Sequence, residues 1–139
     1  MTIVAGYVPT QEGAAALDYA IAQAKKTNSL LVVINSSRGT ALVDRNYASP
    51  EDVENVEERL AAEGIEHLVL QPVRGQDATD EVLDAAQTHN ADLIIIGMRR
   101  RTPVGKLIMG STAQRILLEA DCPVIAVKAG WHANSSREV

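Results

Sequence analysis

Five short aliphatic runs punctuate the chain, each separated from the next by a longer segment whose apolar positions recur at helical spacing. The runs are Ile3 to Tyr7, Leu30 to Asn35, His67 to Val73, Asp92 to Gly97 and Pro123 to Lys128. Continuous apolar stretches of this length suit strands buried on both faces, and amphipathic segments between them suit crossover helices. The fourth run holds Leu93-Ile94-Ile95-Ile96, apolar on both faces, and is expected as a central strand.

Four helices are predicted between the runs. In the first, Ala14, Leu17, Ile21 and Ala24 form the packing stripe, opposite Glu12, Gln23, Lys25 and Lys26. The second opens at Ser49-Pro50-Glu51-Asp52, with a hydroxyl cap, proline at the first helical position and acids in the first turn. It buries Val53, Val56 and Leu60 and stops at Gly64. Asp77 caps a third helix with Val82, Ala85 and Ala86 inward and Asn90 as its stop. The fourth opens at Gly110-Ser111 and carries Ile116, Leu117 and Ala120. Ser36 to Ala48 is expected to be a long exposed connection, and Gly130 to Val139 a loose tail beyond a single domain covering residues 1–129.

Strands alternating with helices, joined by right-handed crossovers, give an α/β fold with a doubly wound five-stranded parallel sheet and helices on both faces. Ligands of such sheets bind beyond the carboxyl ends of the strands where the strand order reverses. In the order 3-2-1-4-5 that reversal falls between strands one and four, which directs attention to the turns after Tyr7 and after Gly97.

Composition narrows the function classes. The 139 residues are enough for one core, 46% are apolar, and charges are mixed along the chain. A net charge of −5 opposes general affinity for nucleic acid, whose phosphates call for clustered cations. The chain runs directly into a strand-like Thr2-Ile3-Val4-Ala5, and no apolar stretch approaches the ~20 residues of a membrane span. With Cys122 as the single cysteine, a cytoplasmic location is expected, with neither nucleic acid nor membrane as partner.

The turn after strand four concentrates the chemistry. It reads Met98-Arg99-Arg100-Arg101-Thr102-Pro103-Val104-Gly105-Lys106-Leu107-Ile108-Met109-Gly110-Ser111-Thr112. Unpaired amides and the positive end of the following helix would let Gly110, Ser111 and Thr112 hold a phosphate, with Lys106 and the arginines adding opposite charge. A Walker A loop does not fit: Arg100 stands at its first glycine and Leu107 at the Ser/Thr that would hold magnesium. No G-x-G-x-x-G fingerprint follows strand one.

At this turn the chain resembles the universal stress protein family, whose nucleotide motif is glycine, two residues, glycine, nine residues, glycine and a hydroxyl residue. Laid on this chain, the first glycine is Gly97, the third Gly110 and the hydroxyl Ser111, with Arg100 at the second glycine. The segment from Thr112 through Ala120 to Cys122-Pro123-Val124-Ile125-Ala126-Val127 is also similar, and the resemblance extends over about residues 2–128. It implies the 3-2-1-4-5 sheet of the adenine nucleotide alpha hydrolase-like fold and a homodimer made through the last strand, with Val124, Ile125 and Val127 at an apolar edge. The aspartate that ATP binders of the family often place after strand one is Val8 here, followed by Pro9 and Thr10.

Two functional readings follow. The first is a cytoplasmic regulatory protein of the stress response that binds ATP or AMP, with Mg2+ accompanying ATP. Gly97 would let the backbone approach the phosphates, and Gly110, Ser111 and Thr112 would hold them. Arg100 would neutralise their charge, Thr10 would offer a hydroxyl, and the base would rest near Val8 and Asn35. No residue is an evident general base, so no catalytic residue is assigned and hydrolysis would be slow at most. The second, motivated by Arg100 and Val8, is a nucleotide-free dimeric interaction module of the same fold. A hydrolase or transferase has no supporting constellation.

The remaining singular residues read as structural. Cys122 is expected as a small buried hydrophobe at the start of strand five, and His67, His89 and His132 lack metal-ligand spacing. Asp18, Asp80 and Asp84 fall on exposed helix faces, and Trp131 is expected to pack loosely in the tail or against a partner.

Overall fold

Five parallel strands lie in the order β3-β2-β1-β4-β5 in the computed structural model, which describes residues 1–35, 50–71, 78–98 and 111–131. In chain order the elements are β1 (Thr2–Gly6), α1 (Gln11–Thr27), β2 (Leu30–Ile34), α2 (Pro50–Ala62) and β3 (His67–Leu70). They continue as α3 (Ala78–Thr88), β4 (Leu93–Met98), α4 (Ser111–Glu119) and β5 (Val124–Lys128). The predicted fold class and strand order are therefore those observed.

Alternation along the strands sorts the core into two layers. Ile3, Ala5, Leu31, Val33, Leu93, Ile95 and Val127 face one side and are buried by Ala16, Leu17, Ala20, Ile21 and Ala24 of α1 and by Val56 and Leu60 of α2. Their neighbours Val4, Val32, Ile34, Ile94 and Ile96 face the other side, against Val82 and Ala85 of α3 and Ile116 of α4. Strands flanked on both sides need apolar residues at every position, which is why the runs show no alternation of polarity.

The helix ends follow the local chemistry. Asn28 closes α1 in the left-handed conformation with its amide bonded to the Ala24 carbonyl, and Asn90 takes the same conformation just after α3. Gly64, with φ of 73°, turns the chain from α2 towards β3 without the steric cost a Cβ would carry. Ion pairs stitch neighbouring helices on each face: Arg59 to Asp18 at 2.6 Å and Lys25 to Glu63 at 2.8 Å on one, Arg115 to Asp80 at 3.2 Å on the other.

Several local expectations are corrected. Ala14 is exposed, and the inward stripe of α1 runs instead through Gly13, Ala16, Leu17, Ala20, Ile21 and Ala24. Among the described side chains of α4 only Ile116 is buried. Leu117 is 39% and Leu118 78% exposed. Strand β3 ends at Leu70. Val73, the caps assigned to Ser49 and Asp77, and the connection from Ser36 to Ala48 lie outside the described residues. Trp131 is not loose: its ring meets Tyr19 of α1 edge-to-face with centroids 5.0 Å apart. Packing of the α1 layer thus extends through that residue.

Candidate functional site

The helices that follow the two adjacent strands β1 and β4 lie on opposite layers of the sheet. After β1 the chain crosses to the α1 layer, and after β4 it returns as α4 on the opposite layer. Strands related in this way mark the switch point of the sheet, the general ligand position in doubly wound folds.

On the β1 side, Tyr7, Val8, Pro9 and Thr10 form the rim. Thr10 is extended, with φ −133° and ψ 174°, and its hydroxyl accepts the amide of Gly13 at 3.2 Å, so it caps α1. Its own amide donates to the Val8 carbonyl at 2.8 Å, which makes the rim a tight turn. Gly13 lies directly against that turn, and a Cβ there would overlap the Val8 carbonyl. Burial raises the phenol pKa of Tyr7, with the Asp52 carboxylate adding in the same direction, so the rim carries a neutral phenol at physiological pH.

Gly97 near the end of β4 has a packing role that its place in the sequence motif does not reveal. A Cβ there would come within 2.7 Å of the Glu12 carbonyl carbon and 3.0 Å of the Glu12 Cβ. The first turn of α1 therefore rests on the bare backbone of β4, and the space left by the missing side chain is filled by protein on the α1 side.

Asn35 stands one residue beyond β2 and is 1% exposed. Its Nδ2 donates to the Tyr7 carbonyl at 2.8 Å, and its Oδ1 accepts from Gln71 Nε2 at 3.0 Å. The strand ends under the expected base position are thereby joined by side-chain amides.

On the β4 side, α4 begins at Ser111, so Ser111 and Thr112 lie in its first turn, at the positive end of the helix dipole. Arg100 and Gly110, together with Lys106, lie outside the described residues.

Sequence reasoning overlooked four further residues at this end of the sheet. Gly13 and Gln71 are two; the signal for Gly13 was a glycine inside an otherwise strong helical pattern. Thr79 and Glu81, in the first turn of α3, are 0% and 2% exposed. Val82 is the next residue, and it would meet a Cβ at Gly6 at 3.6 Å, which places this buried polar pair beside the end of β1. A hydroxyl and a carboxylate on the inner side of a first turn were the available signal.

The opposite end of the sheet differs. A groove of about 330 Å³ there is lined by Leu83, Ala86, Asn90, Ile94, Ala120 and Cys122, between the carboxyl-terminal ends of α3 and α4. Cys122 lies two residues ahead of β5 and is half-buried rather than fully buried. Burial raises its thiol pKa, and the carboxylates of Asp92 and Asp121 raise it further, which opposes thiolate formation. Among the described residues no cluster of three or more His, Cys, Asp or Glu side chains could hold a metal ion. No helix among them is long and apolar enough to cross a membrane.

Known proteins provide the comparison. The model of the universal stress protein family matches residues 1–128. A universal stress protein of Mycolicibacterium smegmatis is 46% identical over 126 residues, covering 91% of this chain and 96% of that protein. A universal stress protein structure from Archaeoglobus fulgidus superposes with a TM-score of 0.77 at 30% identity, over 92% of this chain and 98% of that one. A second structure from the same organism, a universal stress protein in complex with dAMP, gives a TM-score of 0.70 at 24% identity with the same coverage. A family match over nearly the whole chain, a close relative of similar length and the observed strand order agree: this chain belongs to the universal stress protein family.

Proposed function

We propose that the chain is a cytoplasmic regulatory protein of the stress response that binds an adenine nucleotide, ATP or AMP, in the crevice between β1 and β4. The observation that carries this reading is the start of α4 at Ser111 directly across the switch point of the sheet. Amides at a helix start favour a phosphate by roughly 1 kcal/mol or more through the dipole alone, before any cation is counted. The complex of the Archaeoglobus fulgidus protein with dAMP supports an adenylate as the ligand class.

In this reading Gly110, Ser111 and Thr112 hold the phosphates and Arg100 supplies opposite charge. The base lies towards Val8 and Asn35, Thr10 offers its hydroxyl to the ribose, and Gly97 keeps α1 seated beneath the crevice. Mg2+ accompanies ATP through its phosphate oxygens. Isothermal titration with ATP, ADP and AMP tests the proposal: saturable heat is expected, and no heat at millimolar ligand overturns it. Ser111→Ala and Arg100→Ala should each weaken phosphate-bearing ligands and leave adenosine little changed.

A second reading is a nucleotide-free interaction module, favoured by the occupation of Thr10, Asn35 and Gly97 in internal packing. Mass spectrometry of protein purified without added nucleotide separates the two, because a retained adenylate eliminates the second. In both readings the chain pairs with a second copy through β5, which is an edge of the sheet. Val124 and Ile125 remain partly exposed there, whereas Val127 is already buried by its own protomer. A monomeric mass by light scattering at micromolar concentration overturns the pairing.

A further inference from the structure

The parallel ladder gains one additional rung at the carboxyl edge of the sheet, and side chains make it. Register pairs Gly6 with Ile34 and Ile34 with Leu70, so Tyr7, Asn35 and Gln71 form the next row across β1, β2 and β3. In that row the Tyr7 amide still donates to the Ile34 carbonyl at 2.8 Å and the Asn35 amide to the Leu70 carbonyl at 3.0 Å. Beyond this point the chains part: Tyr7 leads into the turn that caps α1, while β2 and β3 have ended.

The carboxamides continue the pairing there. Gln71 donates to Asn35, and Asn35 donates to the outward carbonyl of Tyr7, forming a relay over three strands. Asn35 is almost wholly buried, and a buried amide holds its geometry because breaking either bond would leave a desolvated polar group. Sequential amide bonds also polarise one another, which stiffens the row as a unit.

We infer that Asn35 and Gln71 are positioning residues that set the spacing between the ends of β1 and β2, and thereby hold the base end of the nucleotide crevice. This deepens the proposed adenylate reading and rests on it. The relay acts through the backbone of Tyr7 and the turn at Val8, and it does so at one end of the crevice only. Phosphate binding at the start of α4, on the far side of β1 from the relay, does not depend on it.

The geometry makes a base-dependent prediction. Asn35→Asp keeps the size and the acceptor for Gln71 but replaces the donor facing the Tyr7 carbonyl with an anionic oxygen. Gln71→Met keeps the length and removes the carboxamide, and with it the donor to Asn35, at a half-buried position.

The experiment compares AMP with ribose 5-phosphate, read by titration calorimetry and by competition against AMP, in full-length wild-type, Asn35→Asp and Gln71→Met proteins. Thermal unfolding without ligand is recorded on the same samples. The expected result is a loss of AMP affinity of about tenfold or more in Asn35→Asp and a smaller loss in Gln71→Met, with ribose 5-phosphate within about twofold of wild type. Equal losses for both ligands, or no loss of AMP affinity in a folded variant, overturn the positioning role and leave the nucleotide reading standing. If Asn35→Asp does not fold, Gln71→Met decides by the same ratio. Wild-type protein that binds neither ligand overturns the adenylate reading and the inference with it.

Discussion

Gly13 in the first turn of α1 is in direct backbone contact with Val8, so that any side chain at position 13 would occupy the space of the Val8 carbonyl. The contact joins the helix to the turn after β1 and sets how far the rim of the crevice stands from α1.

Replacing glycine by alanine within an exposed helix normally stabilises it by about 1 kcal/mol. Gly13→Ala should do the reverse and destabilise the protein by about 1–3 kcal/mol, as overpacking against backbone does. Gly6→Ala is the control: its Cβ would meet Ile96 and Val82 at 3.6 Å, an ordinary contact. Urea unfolding of both variants checks the contrast, and equal stabilities would remove Val8 as the cause.

Gly97→Ala should also destabilise, because the added carbon meets the main chain of α1 at Glu12 and backbone cannot step aside as a side chain can. The expected sign is a lowered unfolding midpoint in the absence of any ligand. A variant that is as stable as wild type but fails to bind nucleotide would assign Gly97 to the ligand instead.

The pair of Lys25 and Glu63 gives a pH signature. The hydrogen bond from Lys25 and its charge lower the Glu63 carboxyl below its ordinary value, with the Arg59 charge assisting. A lowered folded pKa contributes stability that is present above the ordinary carboxylate range and is lost as pH falls through the lowered value. Glu63→Gln should therefore sit below wild type in unfolding midpoint at neutral pH and converge with it in acid. Both groups are exposed, so the difference should be small and should shrink with added salt. A gap that widens on acidification contradicts the assignment.

Cys122 should react sluggishly with thiol reagents at neutral pH, because burial and two nearby carboxylates raise its pKa and keep the thiolate scarce. The rate should climb with pH beyond the ordinary thiol range, and Asp121→Asn should raise it at neutral pH. Labelling followed by mass spectrometry measures both effects, and a rate insensitive to Asp121 would leave burial and Asp92 as the causes.

Alternating apolar runs and amphipathic segments determined the element order and both layers of the core, because each strand must be apolar on both faces when helices cover both. Asn90 and Gly64 were also legible as punctuation, since left-handed backbone admits few residue types. Close approaches decided the rest. That Gly97 serves α1, that Thr10 caps a helix, and that Asn35 and Gln71 tie three strand ends depends on which atoms meet, in most cases between residues far apart in sequence. Helical and strand periods report which side of an element is apolar, but they contain no information on the distance between two elements. That distance is settled only when the layers pack, and here packing gives Thr10, Asn35 and Gly97 internal contacts that periodicity does not show.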